Sequence, residues 1–90
     1  MKKNVKVFGV PNCVKCNATK RWLERKKIPY EYVDVSQSLE LTEAIRQAAV
    51  DRGEPAVMPF VEVHTDLGGE PVQWFDMRPD LLQQHVGVAA

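Results

Sequence analysis

The stretch Gly9–Cys16 reads Gly-Val-Pro-Asn-Cys-Val-Lys-Cys, and it decides the predicted fold of this 90-residue chain. Gly9, Pro11 and Asn12 favour a turn, which separates an alternating apolar pattern before them from a helical pattern after them. Cys13 and Cys16 are the only cysteines in the sequence. A Cys-x-x-Cys pair placed where a strand meets a helix is typical of thiol redox chemistry.

The elements on either side of this stretch follow from periodicity. The alternation of apolar residues predicts a strand over Lys3–Phe8. We expect a helix over Cys13–Lys26 with Asn12 as its cap, since asparagine accepts hydrogen bonds from the first turn. Tyr30–Val35 is predicted to be a second strand. These three elements form a β-α-β unit.

The second half of the chain predicts one helix, a hairpin and a last helix. Apolar residues at helical spacing indicate an amphipathic helix from Ser38 to Arg52 that ends at Gly53. The predicted hairpin joins Phe60–His64 to Val72–Phe75 through a turn at residues 66–69. A short helix opens at residues 78–80, with a proline at its start, and ends near residue 86; the remaining residues are expected to form a frayed tail.

The predicted order is therefore β-α-β-α-β-β-α. A crossover helix makes the first two strands parallel, and the last two strands are antiparallel, so the sheet is mixed and four-stranded with helices on both faces. This is the α/β layout of the thioredoxin-like fold. We expect residues 1–90 to form a single domain, because a chain of this length supports one core.

Composition narrows the classes of partner and compartment. The chain has 12 basic and 12 acidic residues, and this formal net charge of zero argues against nucleic acid as the main partner. No apolar run reaches membrane-spanning length, which predicts a soluble, cytoplasmic protein. A single close pair of cysteines in a reducing compartment indicates either metal binding or redox chemistry.

The position of Cys13 at a helix N-terminus suits a nucleophile. Unpaired backbone N–H groups and the helix dipole favour a thiolate there, and the thiolate is the form that attacks a disulfide. Cys16 lies one turn later and is predicted to resolve the mixed disulfide formed on Cys13, giving a redox-active Cys13–Cys16 disulfide. Lys15 either adds positive potential beside the pair or is a solvated lysine of the first turn.

Three other interpretations of the pair compete with catalysis: a zinc site, a structural disulfide, and an accidental pair, which the Gly-Val-Pro-Asn context disfavours most. A zinc site would need two further ligands, and His64, His85 and the scattered carboxylates do not lie at ligand spacing, so we predict no metal. A purely structural disulfide within one helical turn would constrain almost nothing, because the loop that it closes is very short.

A second loop, around Pro59, is expected to complete the site. From the sequence alone, Pro59 is either an ordinary strand-initiating proline or a cis proline. In a thioredoxin-like fold this loop lies beside the cysteines with its proline cis, and the backbone of Met58 could pair with an extended substrate segment. We therefore predict a substrate-binding or partner-binding surface, which comprises Pro11, Asn12, Val57, Met58, Pro59, Trp74 and Arg78.

The run Cys13–Thr19 with Leu23, together with Trp74 and the Arg-Pro-Asp element at residues 78–80, resembles the NrdH-redoxins. These are glutaredoxin-like proteins that reduce class Ib ribonucleotide reductase. The resemblance implies a glutaredoxin-type fold and a dithiol carrier, expected to be a monomer with no bound cofactor. It also implies that electrons come from NADPH through thioredoxin reductase and pass to the ribonucleotide reductase large subunit.

Two positions depart from the family pattern. Val10 stands where glutaredoxins carry a lysine that holds a glutathione carboxylate, which weakens a glutathione interpretation. Phe75-Asp76 stands where the family has a Ser-Gly turn. Trp74 is expected mainly to pack against the last helix, with partner contact as a secondary role.

Two questions stay open at this stage. The basic cluster on the first helix is either a solvated face or a docking patch for an acidic partner; it comprises Lys20, Arg21, Arg25, Lys26 and Lys27. The function is either a dithiol carrier of the NrdH-redoxin type, a glutathione-dependent glutaredoxin, or a metal-binding or redox-sensing adapter.

Overall fold

The computed structural model describes residues 3–65 and 69–87. Its element order confirms the predicted β-α-β-α-β-β-α sequence, with a short 3-10 helix at Val35–Gln37 between the second strand and the second helix. The elements are β1 (Lys3–Gly9), α1 (Val14–Arg25), β2 (Glu31–Asp34), α2 (Leu39–Arg52), β3 (Phe60–Thr65), β4 (Val72–Phe75) and α3 (Pro79–His85).

The four strands form one mixed sheet in the order β2-β1-β3-β4. Strands β1 and β2 are parallel, as the crossover through α1 requires. Strand β3 is antiparallel to both of its neighbours, so that Val61 lies between Val7 on one side and Trp74 on the other. This is the predicted thioredoxin-like sheet, and it brings the C-terminal end of β1 next to the start of β3.

The sheet separates two apolar layers, and helices cover both faces as predicted. On one face, α1 and α3 pack on alternate residues of β1, β3 and β4; this layer consists of Val5, Val7, Trp22, Leu23, Val61, Val63, Trp74, Leu82 and Val86. On the other face, α2 packs through Ile45 and Ala49 on the aromatic pair Phe60 and Phe75, whose ring centroids are 4.6 Å apart. The period-2 alternation of the strands produces this division.

Several predicted boundaries differ from the observed ones by one residue, and two of these differences have a clear structural cause. The N-cap of α1 is Cys13 and not Asn12, because the Cys13 sulfur accepts the Cys16 N–H, and Asn12 instead occupies the left-handed region with φ 58°. Strand β2 stops at Asp34, whose carboxylate accepts the N–H and hydroxyl of Ser36 and starts the 3-10 helix.

The ends of α2 are as predicted. The Ser38 hydroxyl accepts the Leu41 N–H, and Gly53 ends the helix in the left-handed region with φ 65°. The predicted hairpin turn falls mainly on residues 66–68 and most of the predicted tail on residues 88–90, outside the described residues. Within the described ranges, none of the helices combines the length and apolarity needed to cross a bilayer.

Candidate active site

The two cysteines occupy the first turn of α1 and form a disulfide, with their Cα atoms 5.2 Å apart. Cys13 is the N-cap residue and its side chain is partly exposed, whereas Cys16 is fully buried. The Cys16 N–H donates a hydrogen bond to the Cys13 sulfur over 3.0 Å. A backbone N–H directed at this sulfur stabilises negative charge on it once the disulfide is reduced.

Gly9, the last residue of β1, makes room for the buried cysteine. A Cβ atom at this position would lie 2.9 Å from the Cys16 sulfur and would also collide with the Tyr32 hydroxyl. The sequence predicted Gly9 only as a residue that breaks the strand. The structure adds that the absence of a side chain here lets Cys16 pack against the sheet.

The proline loop, residues 54–59, lies beside the cysteines and contains a cis Met58–Pro59 peptide bond, as the resemblance implied. Pro59 is buried and Met58 is partly exposed. The carbonyls of Val57 and Pro59 both accept the backbone N–H of Asp76, over 3.0 and 2.9 Å. This shared donor fixes the loop against the segment that follows β4.

Asp76 is the site residue that the sequence did not identify. Its carboxylate lies 3.0 Å from the Lys15 ammonium and accepts the Met77 N–H over 2.7 Å. The hydrogen bond from Lys15 is the main cause of a lowered pKa of Asp76, and burial, the second-largest cause, opposes it. Asp76 thus connects α1, the proline loop and the start of α3.

Two features of the sequence could have pointed to this residue. Asp76 stands where the resemblance placed glycine, and its φ of 80° lies in the left-handed region, where aspartate is better tolerated than most residues. The opposite charge of Lys15, between the cysteines, supplied its partner. Neither signal showed that the two residues meet, because 60 residues of chain separate them.

An apolar groove of about 200 Å³ lies between Val10, the proline loop and α2. Val10 and Met58 both border it, and Ile45 contributes from α2. Val10, Met58 and Ile45 also belong to the same apolar layer as Phe60. Val10, which stands where glutaredoxins carry a lysine, therefore borders an apolar surface.

Trp74 was predicted mainly to pack against the last helix, with partner contact as a secondary role. Its side chain is 2% exposed, packs in the layer beneath α3 and stacks on His85 with ring centroids 5.9 Å apart. The packing interpretation is confirmed. Partner contact stays a prediction, and the indole presents little surface for it. Its Nε1 has no hydrogen-bond partner among the described residues.

Arg78, Pro11 and Asn12 remain predicted binding residues, and all three are exposed. The Arg78 guanidinium forms a bidentate pair with Asp80, with N···O distances of 2.9 and 3.1 Å. This pair lowers the pKa of Asp80 and holds Arg78 at the first turn of α3. The histidines lie elsewhere: His64 contacts Glu62 at 2.8 Å on β3, and His85 stacks on Trp74.

In the part of the chain that the structure describes, His, Cys, Asp and Glu form no group of three or more that could hold a metal ion. The arrangement instead suits thiol-disulfide exchange. A partly exposed sulfur with a backbone donor can attack a disulfide, and a second sulfur one turn along the helix can reach the product. The proline loop presents backbone beside the first sulfur, where an extended segment could pair.

Comparisons with known proteins agree with this geometry. The glutaredoxin family model matches residues 5–63. The glutaredoxin-like protein NrdH of Escherichia coli (strain K12) is 25% identical over 80 residues, which cover 89% of this chain and 85% of that protein. The sequence resemblance to the NrdH-redoxins is thereby confirmed.

Solved structures give the same result. The glutaredoxin-like NrdH-redoxin from Escherichia coli superposes with a TM-score of 0.70 and 27% identity, over 90% of this chain and 92% of that one. A glutaredoxin from Archaeoglobus fulgidus superposes with a TM-score of 0.65 over 91% and 84% of the two chains, and at 19% identity it supports the fold alone.

Proposed function

Because this chain belongs to the glutaredoxin family of thiol oxidoreductases, we propose that it is a dithiol electron carrier that reduces a protein disulfide and is itself reduced by thioredoxin reductase. The observation that carries the proposal is the pairing of a partly exposed, backbone-capped Cys13 with a fully buried Cys16 in one helical turn. We propose the cytoplasm as the site of this activity, since the carrier must start each cycle as a dithiol.

Each half-reaction moves two electrons through the cysteines. The Cys13 thiolate attacks one sulfur of the target disulfide, the target S–S bond breaks, and the released target thiolate takes up a proton. The Cys16 thiolate then attacks the Cys13 sulfur, breaks the mixed disulfide and releases the second target thiol. The carrier ends as the Cys13–Cys16 disulfide, and NADPH restores the dithiol through the partner reductase.

The charges around the site support a protein reductant over glutathione. Glutathione is an anion at neutral pH, so its recognition needs cations that are free to pair with it. Val10 provides no charge. Four cations of the chain already contact a carboxylate: Lys15 with Asp76, Arg46 with Glu43, Arg52 with Glu54, and Arg78 with Asp80. Recruiting one of these cations would require breaking an existing pair.

The choice of target rests on the similarity to NrdH. The NrdH-redoxin of Escherichia coli, whose structure is solved, is a glutaredoxin-like protein with a thioredoxin-like activity profile. We propose the same profile for this chain, with the C-terminal cysteine pair of a ribonucleotide reductase large subunit as its target. An exposed cysteine pair on a flexible terminus would suit the proline loop, which can bind an extended segment through its backbone.

One experiment separates the electron sources. Oxidised protein is supplied either with NADPH and thioredoxin reductase or with NADPH, glutathione and glutathione reductase, and NADPH consumption is followed at equal protein concentration. We expect faster turnover with thioredoxin reductase. Faster turnover with glutathione would contradict the proposed carrier and favour the second candidate.

The second candidate is a glutathione-dependent glutaredoxin that acts on mixed disulfides. The match of the glutaredoxin family model over residues 5–63 favours it. The Val10→Lys variant is informative here, because it restores the cation that glutaredoxins carry at this position. If the electron source depends on this charge, the variant should gain glutathione-dependent turnover while its turnover with thioredoxin reductase changes less.

A further inference from the structure

A groove between α1 and the start of α3 continues away from the cysteines along the surface of the protein. Its volume is about 500 Å³, and it is lined by Ala18, Arg21, Glu24, Arg25 and Met77. One end adjoins the active site, because Met77 follows Asp76 and Ala18 lies one turn beyond Lys15. We call this surface the basic groove.

The exposed face of α1 changes character along this groove. Val14, which directly follows Cys13, is 78% exposed, and the same helical stripe continues through Ala18, Arg21 and Arg25 at i+4, i+7 and i+11. The stripe is therefore apolar next to the nucleophile and cationic farther from it. A ligand that follows the stripe would meet an apolar contact first and two guanidinium groups afterwards.

The structure divides the basic cluster of α1 into two sets. Lys20 lies over the Tyr32 ring at 4.1 Å and Lys26 over the Trp22 ring at 5.6 Å, so these two lysines cover aromatic surface. Neither Arg21 nor Arg25 has an ion-pair partner among the residues that the structure describes.

The acidic residue of the groove does not neutralise both arginines. Glu24 accepts a hydrogen bond from the Tyr30 hydroxyl over 2.6 Å, which raises the pKa of Tyr30 to about 12 together with burial, the larger cause. Two cations and one carboxylate leave the lining with a positive charge. This charge contrasts with the net charge of zero of the whole chain.

We propose that the basic groove binds an extended acidic segment of the substrate protein, next to the cysteine that Cys13 attacks. The proposal rests on the proposed function, since it names the chemistry of the substrate at the same site. Arg21 and Arg25 act as binding residues that orient the substrate and do not take part in the exchange of sulfur bonds.

Helix geometry sets the spacing of the acidic residues. Arg21 and Arg25 follow Cys13 by eight and twelve residues, or about 12 Å and about 18 Å along the helix axis. An extended segment advances about 3.3 Å per residue. Acidic side chains about four and about five residues from the attacked cysteine would therefore reach the two arginines.

The test uses the full chain, reduced beforehand with dithiothreitol and freed of it, so that the physiological reductase does not enter. Single-turnover reduction is followed for a disulfide peptide with aspartates at the fourth and fifth positions from the attacked cysteine, and for peptides with asparagines or lysines there. We expect the rate constant at low peptide concentration to fall from aspartate to asparagine to lysine. The preference should shrink as salt shortens the range of the charge interaction.

The variant that carries both Arg21→Gln and Arg25→Gln should reduce the aspartate-to-asparagine rate ratio about threefold to tenfold, the range for two exposed ion pairs. Lys27→Gln is the matched control, because it removes one charge from an exposed residue near the same end of α1 that does not line the groove. Its ratio should equal that of the unmodified protein. The change in the double variant should appear in the peptide concentration that gives a half-maximal single-turnover rate, and not in the limiting rate constant.

Each of the other possible results would overturn either the acidic-segment proposal or the proposed function. Equal rates for the three peptides with the unmodified protein would overturn the acidic-segment proposal while leaving the disulfide reductase function intact. Absence of reduction of all three peptides would contradict the proposed function itself. A dimer in sedimentation velocity that the double variant abolishes would assign the groove to a second copy of this chain, and would also overturn the proposal.

Discussion

In the first turn of α1, the functional atoms belong to two cysteines and one backbone N–H that lie within four consecutive residues. In the turn after β4, by contrast, a single residue connects three segments that are distant in the sequence. Asp76 pairs with Lys15 on α1 and donates its N–H to the carbonyls of Val57 and Pro59 in the proline loop. The first region supplies the chemistry, and the second holds the surfaces around it.

This difference predicts how each region responds to substitution. Changes in the first turn of α1 should remove activity, because no other atom can replace the attacking sulfur. Changes in the turn after β4 should alter stability and substrate affinity by smaller amounts, because the contacts there are numerous and partly exposed.

Cys13→Ser should lower disulfide turnover by about 10³-fold or more, since a serine hydroxyl is not ionised at neutral pH. The measurement is NADPH-coupled reduction of a protein disulfide, with far-ultraviolet circular dichroism as the control for folding. Serine at an N-cap also accepts a hydrogen bond from the helix, so the fold should be retained. A folded variant with more than a small residual activity would contradict the assignment of Cys13.

Gly9→Ala should destabilise the protein by about 1–3 kcal/mol, because the new Cβ would press on the Cys16 sulfur and on Tyr32. Urea unfolding of the reduced protein measures the change. The control is the same substitution in a Tyr32→Phe background, where removal of the hydroxyl relieves part of the collision. An equal loss of stability in both backgrounds would show that contact with the Tyr32 hydroxyl is not the cause.

Asp76→Asn should lower stability at neutral pH by less than about 1 kcal/mol, because the pair with Lys15 is partly exposed and screened by solvent. Asparagine keeps an acceptor for the Met77 N–H and tolerates the positive φ, so this variant removes chiefly the charge. Asp76→Ala should cost more, since alanine loses the acceptor and fits the left-handed backbone poorly. Equal stability of the Asn and Ala variants would contradict these contacts.

The effect of Asp76→Asn should also depend on pH. The pKa of Asp76 is lowered in the folded protein from its ordinary value of 3.8, so the stabilising contribution is present above that value. It is lost as the pH falls through the lower folded-state pKa. The stability difference between the unmodified protein and the Asn variant should therefore be constant from about pH 7 to about pH 5 and should close below about pH 4. A difference that persists into stronger acid would contradict the ion pair.

The contrast between the two regions also explains what the sequence could predict. Strand alternation, helix spacing and turn residues are local patterns, and they predicted the element order, the parallel pairing of the first two strands and the Gly53 end of α2. The cysteine motif was recognisable for the same reason, because Cys13 and Cys16 lie within one turn. The error in the N-cap of α1 was also local, because the cap is Cys13 and not the neighbouring Asn12.

What the sequence could not predict depends on contacts between distant residues. Nothing near Asp76 indicated that it would meet Lys15, and nothing near Gly9 indicated that Cys16 would pack against it. The packing of Trp74 against the last helix was predicted, but the extent of its burial, with 2% of the side chain exposed, is a property of the assembled layer. The cis bond before Pro59 came from the resemblance, since local sequence alone favoured an ordinary proline.

Trapping the mixed disulfide shows whether Cys13 attacks the substrate and Cys16 resolves the adduct. Reduced Cys16→Ser and Cys13→Ser variants are each mixed with a disulfide peptide, and the adducts are measured by mass spectrometry over time. We expect rapid accumulation of a peptide adduct on Cys13 in the Cys16→Ser variant. We expect little adduct on the buried Cys16 in the Cys13→Ser variant. Faster adduct formation on Cys16 than on Cys13 would contradict these roles of the two cysteines.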